Sequence, residues 1–187
     1  LLMTAGKKLK DLQKEINEKK APLSFMCTNV GISLKTEVLE TREQTENVVG
    51  FLEGNDTNLK NDVLVIGAHY DHLGYGGEGS GSLKPDTSAI HNGADDNASG
   101  TAGLLELAQF FASRRKEVRR SILFIAFSGE ELGLLGSAYY FNNPTVPVDR
   151  MIAMMNMDEI GRLKDRKLIV YGMGTSPGFE SLVTRHN

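Results

Sequence analysis

The sequence predicts an α/β fold, a central sheet with helices on both faces, and three observations carry that expectation. Apolar strand-like runs at residues 63–66, 122–127 and 151–157 alternate with helical patterns. The first of them, Val-Leu-Val-Ile, is continuously apolar, as a strand buried on both faces would be. Each run also leads into a polar cluster: His69-Tyr-Asp71, Glu130-Glu131 and Asp158-Glu159. Strands of a parallel sheet gather what lies at their carboxyl ends into one crevice, so these clusters are expected to meet.

Taken in order, residues 4–20 form an amphipathic helix with Leu9, Leu12 and Ile16 on one face, ended by Pro22. Its lysines are interspersed with Asp11, Glu15 and Glu18, which suits a solvated face better than a membrane-surface helix. Val30, Ile32 and Leu34 alternate as a half-buried strand, and residues 47–52 form a second. Gly54-Asn-Asp is turn chemistry and suggests a hairpin connection into the strand at 63–66. Residues 74–82 are a Gly/Ser-rich, mobile rim. They match GxGxxG by letter, but no helix opens behind them, which excludes a dinucleotide fingerprint. Residues 98–112 form a helix capped by Asn97 or Ser99, with Arg114, Arg115 and Lys116 complementing its C-terminal dipole. A short helix at 137–141, strands at 151–157 and 168–171, and a helix opened by Ser176-Pro177 complete the chain.

The 187 residues suffice for one domain with a core, and the net charge of −3 gives no reason to expect nucleic acid or an anionic membrane as a partner. No apolar run approaches the roughly 18 residues of a membrane span, and the first residues lack the apolar stretch of a signal peptide. The single Cys27 reads as a small half-buried residue and excludes a thiolate zinc site.

What stands out chemically is residues 91–100, His-Asn-Gly-Ala-Asp-Asp-Asn-Ala-Ser-Gly, where two carboxylates sit among small residues just before a helix. With the histidine and carboxylates at the strand ends, the set suits zinc, which takes nitrogen and oxygen ligands. There is no HExxH and no GxSxG, so neither a helix-borne single-zinc protease nor a serine hydrolase is expected. Carboxylates can bridge two ions about 3.5–4 Å apart.

Four segments occur together: residues 67–74 (Gly-Ala-His-Tyr-Asp-His-Leu-Gly), 92–100 (Asn-Gly-Ala-Asp-Asp-Asn-Ala-Ser-Gly), 128–137 (Ser-Gly-Glu-Glu-Leu-Gly-Leu-Leu-Gly-Ser) and 156–158 (Asn-Met-Asp). In these the chain resembles the zinc-dependent exopeptidases of the bacterial leucyl aminopeptidase and glutamate carboxypeptidase type, over roughly residues 45–187. The resemblance implies a mixed, mostly parallel sheet and a catalytic domain cut short at its C-terminal side, with residues 1–25 a helix and a seam to another domain. It also implies a peptide substrate and a secreted or periplasmic setting.

The same resemblance implies roles. His69 and Asp158 hold one zinc, Glu131 the other, and Asp95 bridges them, joined to Asp96 by a cis peptide bond. Asp71 orients His69, and Glu130 is the general base. His72 and His91 are assigned to the rim or to supporting positions behind the ligands, with His72, His91 or His186 as the residues that could complete the second zinc position. The second zinc of such enzymes needs a histidine well downstream of the position matching Asp158. The chain is therefore expected to hold one zinc where the intact enzyme holds two, to have little activity alone, and to be open to self-association through an uncovered side of the sheet. The leading function is an aminopeptidase. The alternatives are a single-zinc glutaminyl cyclase-like transferase, a carboxypeptidase of the same family, and a metal-free binding module.

Overall fold

A run of seven residues, Val63–His69, forms the central strand β2 of the computed structural model, which describes residues 6–26, 31, 33–39 and 42–186. All but Leu64 are fully buried, as their nearly unbroken apolar character requires. Beside it lies β3 (Ser121–Phe127), parallel and in register from Val63 opposite Ser121 to His69 opposite Phe127. On its other side lies β4 (Met151–Asn156), also parallel, with a register irregularity between Val63 and Leu64. The fourth strand, β1 (Val48–Leu52), pairs antiparallel with β3, so the order is β1-β3-β2-β4. The expected α/β architecture, mixed and mostly parallel, is what the pairings show.

Parallel strands need long crossovers, and these supply the helices. Between β2 and β3 runs α2 (Gly100–Ser113), which buries Leu104 on the face carrying Ile66, Ala68, Ile122 and Phe124. Between β3 and β4 runs α3 (Leu135–Asn142), whose Tyr140 packs on the opposite face with Val63, Val65, Leu123, Ile125 and Phe127. Helices therefore cover both faces, and alternate residues of β2 and β3 feed the two cores. After β4 comes the α-helix α4 (Phe179–His186).

Two expectations fail here. The turn at Gly54 does not close a hairpin, because β1 pairs with β3 and not with β2. Gly54 N–H donates to the buried Ser121 Oγ (3.0 Å), and Asn55 N–H donates to the Val118 carbonyl (2.9 Å). A Cβ at Gly54 would collide with the backbone of residues 119–121, so only glycine lets the chain pass so close to the start of β3. Residues 168–171 are not a strand either: Leu168, Ile169 and Tyr171 are exposed, and no described strand pairs with them. Their apolar alternation had no sheet neighbour to satisfy.

The N-terminal unit, residues 1–43, separates from the unit 44–187 and is described by itself. It contains the helix α1 (Leu9–Lys19), where only Leu12 of the three-residue stripe is buried. Of the strand expected around Val30 and Ile32, those two residues and Cys27 lie outside the described residues, and Leu34 is exposed without regular structure. Among the described residues, no helix is long and apolar enough to cross a membrane.

Candidate metal centre

His69 is the last residue of β2, and its ring is almost wholly buried (3 % exposed). Its Nδ1 faces the Asp71 carbonyl at 3.2 Å, and a proton held there leaves the Nε2 lone pair free. Nε2 then points at two carboxylate oxygens, Asp96 Oδ1 at 3.3 Å and Asp158 Oδ1 at 3.4 Å. Glu130 Oε2 stands 4.0 Å away. The His69 carbonyl accepts a hydrogen bond from Thr101 Oγ1 (2.9 Å), which ties the strand end to α2.

Asp71 does more than face His69. Its two oxygens accept the backbone N–H groups of Glu130 (3.1 Å) and Glu131 (3.3 Å), while Oδ1 lies 3.7 Å from His69 Nδ1. Asp71 thus meets the imidazole through its carbonyl and fixes with its carboxylate the turn that carries both glutamates. Asn47, just before β1, braces the same turn, accepting Ser128 N–H (3.0 Å) and donating to the Gly136 carbonyl (2.8 Å).

The paired aspartates resolve differently from expectation. Asp95 turns away from the histidines: Oδ1 accepts Gly161 N–H at 2.9 Å, and Oδ2 lies 3.4 Å from Arg162 Nε. Asp96 takes the central place instead, with Oδ1 toward His69 and Oδ2 toward His72 (3.9 Å). The cis peptide bond likewise falls between Asp96 and Asn97, one residue later than expected. The register is fixed by Asn97, which is buried (2 % exposed). Its amide donates to the Met157 carbonyl (3.0 Å), and its Oδ1 accepts Gly100 N–H (3.0 Å), capping α2. With Asn97 and Asp95 both held on the side of β4 and the segment behind it, Asp96 is left facing the strand ends.

His72, expected at the rim or in a supporting position, comes inward. Its Nδ1 lies 2.6 Å from Glu131 Oε1, yet the pair lacks hydrogen-bond geometry. Both atoms are buried without a hydrogen-bond partner among the described residues. His91 stays outside: its ring lies 6.4 Å from that of His72, with Nε2 accepting from Ser82 Oγ (2.8 Å). The Gly/Ser-rich rim is thereby tied back on itself, with His91 N–H also donating to the Gly74 carbonyl (2.7 Å).

The electrostatics follow from the crowding. Burial, the largest single influence on His69, disfavours its imidazolium, but Asp158, Glu130 and Asp71 outweigh it and the pKa is raised. Burial also raises the pKa of Glu130, helped by the charges of Asp158, Glu131 and Asp71 against the pull of His69. Among the described residues, two groups of three side chains offer ligand atoms within 4.8 Å of one another: His69, Asp96 and Asp158, and His72, Asp96 and Glu131. Lone pairs converging on one point, two of them buried and orphaned, are what a divalent cation satisfies, so this donor set fits zinc.

A cavity of about 270 Å³ opens beside His69, Glu130 and Asp158, with Phe127, Leu134 and Met154 on its wall. Larger apolar hollows of about 700 and 590 Å³ flank β4 and do not contain His69.

Comparison with known proteins supplies the family. The model of peptidase family M28 matches residues 47–187. The chain belongs to peptidase family M28. A protein named "Probable zinc metalloprotease" from Phaeosphaeria nodorum is 36 % identical over 126 residues, covering 63 % of this chain and 24 % of that protein. Aminopeptidase YwaD of Bacillus subtilis is 32 % identical over 123 residues, covering 65 % of this chain and 23 % of its own length. A Zn-dependent exopeptidase from Parabacteroides distasonis aligns with a TM-score of 0.46 and 22 % identity, over 62 % of this chain and 41 % of that one. The chain thus spans about a quarter of the length of these two relatives.

Proposed function

We propose that this M28 chain carries the catalytic centre of a zinc-dependent aminopeptidase, with His69, Asp96 and Asp158 as zinc ligands and Glu130 as general base. The observation that carries the proposal is the convergence of His69 Nε2 with the Asp96 and Asp158 carboxylates at the ends of β2 and β4. A non-ligating carboxylate, Glu130, stands 4.0 Å away. Zinc, when bound there, supplies a Lewis acid that acidifies water and polarises the scissile carbonyl.

The chain's own residues do the rest. Asp71 keeps the Nδ1 proton of His69 in place and so presents Nε2 as a donor. Glu130 takes a proton on Oε2 from the attacking water and returns it to the leaving amine. Its raised pKa brings it closer to neutral pH, where general-base catalysis works best. The surplus of carboxylates around two histidines favours a substrate with a free ammonium group over one with a terminal carboxylate. That supports cleavage after the first residue of a peptide and disfavours carboxypeptidase action. The walls of the adjacent cavity suit an apolar first side chain.

The test is hydrolysis of aminoacyl-p-nitroanilides by the zinc-loaded protein, beside the same substrates with acetylated amines and beside C-terminally free peptides blocked at the amine. Cleavage confined to free-amine substrates, leucyl over glutamyl, is the expected result. Cleavage of the blocked peptides would sink the aminopeptidase reading.

A further inference from the structure

We infer that the rim of residues 74–91 is a binding subsite for the part of a peptide that follows its first residue, with Tyr75 and Leu83 favouring apolar side chains there. The inference rests on the aminopeptidase reading proposed above and adds to it the substrate class: peptides of several residues with apolar side chains after the first.

The rim begins and ends beside the metal centre. It starts at Gly74, two residues past His72, and returns at His91, whose ring lies 6.4 Å from that of His72. His91 N–H donates to the Gly74 carbonyl (2.7 Å), so both ends stand next to the histidine that Asp96 Oδ2 faces. A loop with close ends and internal packing of its own offers a defined surface.

Its path is held by its small and polar residues. Gly76 bridges to Ser88 across the loop, and a Cβ at Gly76 (φ +67°) would collide with the His91 ring. His91 Nε2 accepts from Ser82 Oγ (2.8 Å), and that oxygen accepts Lys84 N–H (3.0 Å). Ser80 Oγ donates to the Gly77 carbonyl (2.7 Å). The apolar side chains take no part in this: Tyr75 and Leu83 are exposed, Leu83 wholly so. Ordering a glycine-rich chain costs conformational entropy, and here it presents apolar groups to solvent instead of burying them. Beside a peptidase centre, the occupant that covers such groups is the substrate chain itself.

The direction of the peptide follows from the cavity. The hollow beside His69, Glu130 and Asp158 suits the first side chain, and neither His72 nor any residue of 74–91 lines it. A peptide seated there leaves the centre on another side. Asp96 spans from His69 to His72, and beyond His72 stands the rim.

Peptide binding to the zinc-loaded 187-residue chain carrying Glu130→Gln, which holds a peptide without cleaving it, tests this. Two peptides dye-labelled at the C-terminus, Leu-Ala-Phe-Leu-Gly and Leu-Ser-Gly-Ser-Gly, are compared by fluorescence polarisation. The expected result is about 10-fold tighter binding of the apolar peptide, as burying part of a leucine-sized side chain gives. Its addition should also shift the amide resonances of Gly76, Gly77, Gly79 and Gly81. Tyr75→Ser and Leu83→Ser together should abolish the preference; both side chains are exposed, and circular dichroism checks that the fold persists. Equal binding of the two peptides, a preference that survives the double substitution, or no binding of either would overturn the subsite. The N-acetylated apolar peptide separates this inference from the reading it rests on. If it binds as tightly as the free peptide and still depends on Tyr75 and Leu83, the subsite stands and the free-amine reading falls.

Discussion

The two sides of Asp96 are built differently. On the His69 side the proposed zinc ligands ride on regular structure: His69 ends β2, and Asp158 follows β4 by two residues. On the His72 side the imidazole and the facing carboxylate come from loops. His72 lies three residues beyond β2, and Glu131 four beyond β3. The first side inherits its geometry from the sheet register, whereas the second is assembled by local contacts such as the Gly93 turn against His72 and the Asp71 carboxylate under Glu131. The strand-end groups should therefore tolerate changes in the loops, and the loop groups should not.

Asp96 is the largest lever, because its two oxygens face both histidines. Asp96→Asn should reduce bound zinc to background, read by elemental analysis, while the fold persists by circular dichroism. Glu130→Gln should separate catalysis from binding: zinc content unchanged, kcat lower by about 10²–10⁴-fold, as loss of a general base gives. If that variant loses zinc, Glu130 is a ligand and its role must be exchanged with that of Glu131.

Gly93→Ala probes the turn between the sides. A left-handed residue with a Cβ costs about 1–2 kcal/mol, and here it also meets the Asp96 carbonyl oxygen and the His72 ring. Zinc affinity should fall about 10–100-fold, the usual effect of disturbing a ligand's support, read by calorimetric titration. An unchanged affinity would mean that the turn does not hold Asp96 in place.

The smallest effect is in the pH dependence of the metal-free chain. The folded pKa of His69 is raised above its ordinary value of 6.5, so its stabilisation is full below that value and lost as pH rises through the folded one. Glu130 is raised above 4.5 and acts with the same sign, losing stability as it deprotonates. Metal-free protein should therefore melt at a lower temperature as pH rises from below 4.5 to above the raised His69 value. His69→Gln should flatten the upper part of that slope. An unchanged slope would show that His69 does not titrate in that window.

How much of this was legible in the sequence follows from the same contrast. His69, Glu130 and Asp158 are legible because each follows an apolar run at a fixed short distance, and the sheet delivers such residues to one place. Asp95 and Asp96 are identical neighbours, and nothing local ranks them. What separates them is the Gly161 N–H and Arg162, some 65 positions downstream, together with the buried amide of Asn97. His72 was left between the rim and a supporting position for the same reason, since a loop's direction depends on what it packs against. The apolar residues at 168–171 and the turn at Gly54 misled in the opposite sense: local pattern suggested pairing, and the strand order denied it.

The role of Asp96 against Asp95 admits the most direct measurement. A crystal of the zinc-loaded chain, with data collected on both sides of the zinc absorption edge, locates each ion by anomalous difference. The expected map has a peak bonded to His69 Nε2, Asp96 and Asp158, with the Asp95 carboxylate still on the Gly161 N–H. A peak bonded to Asp95, with Asp96 turned away, would contradict the assignment at its centre.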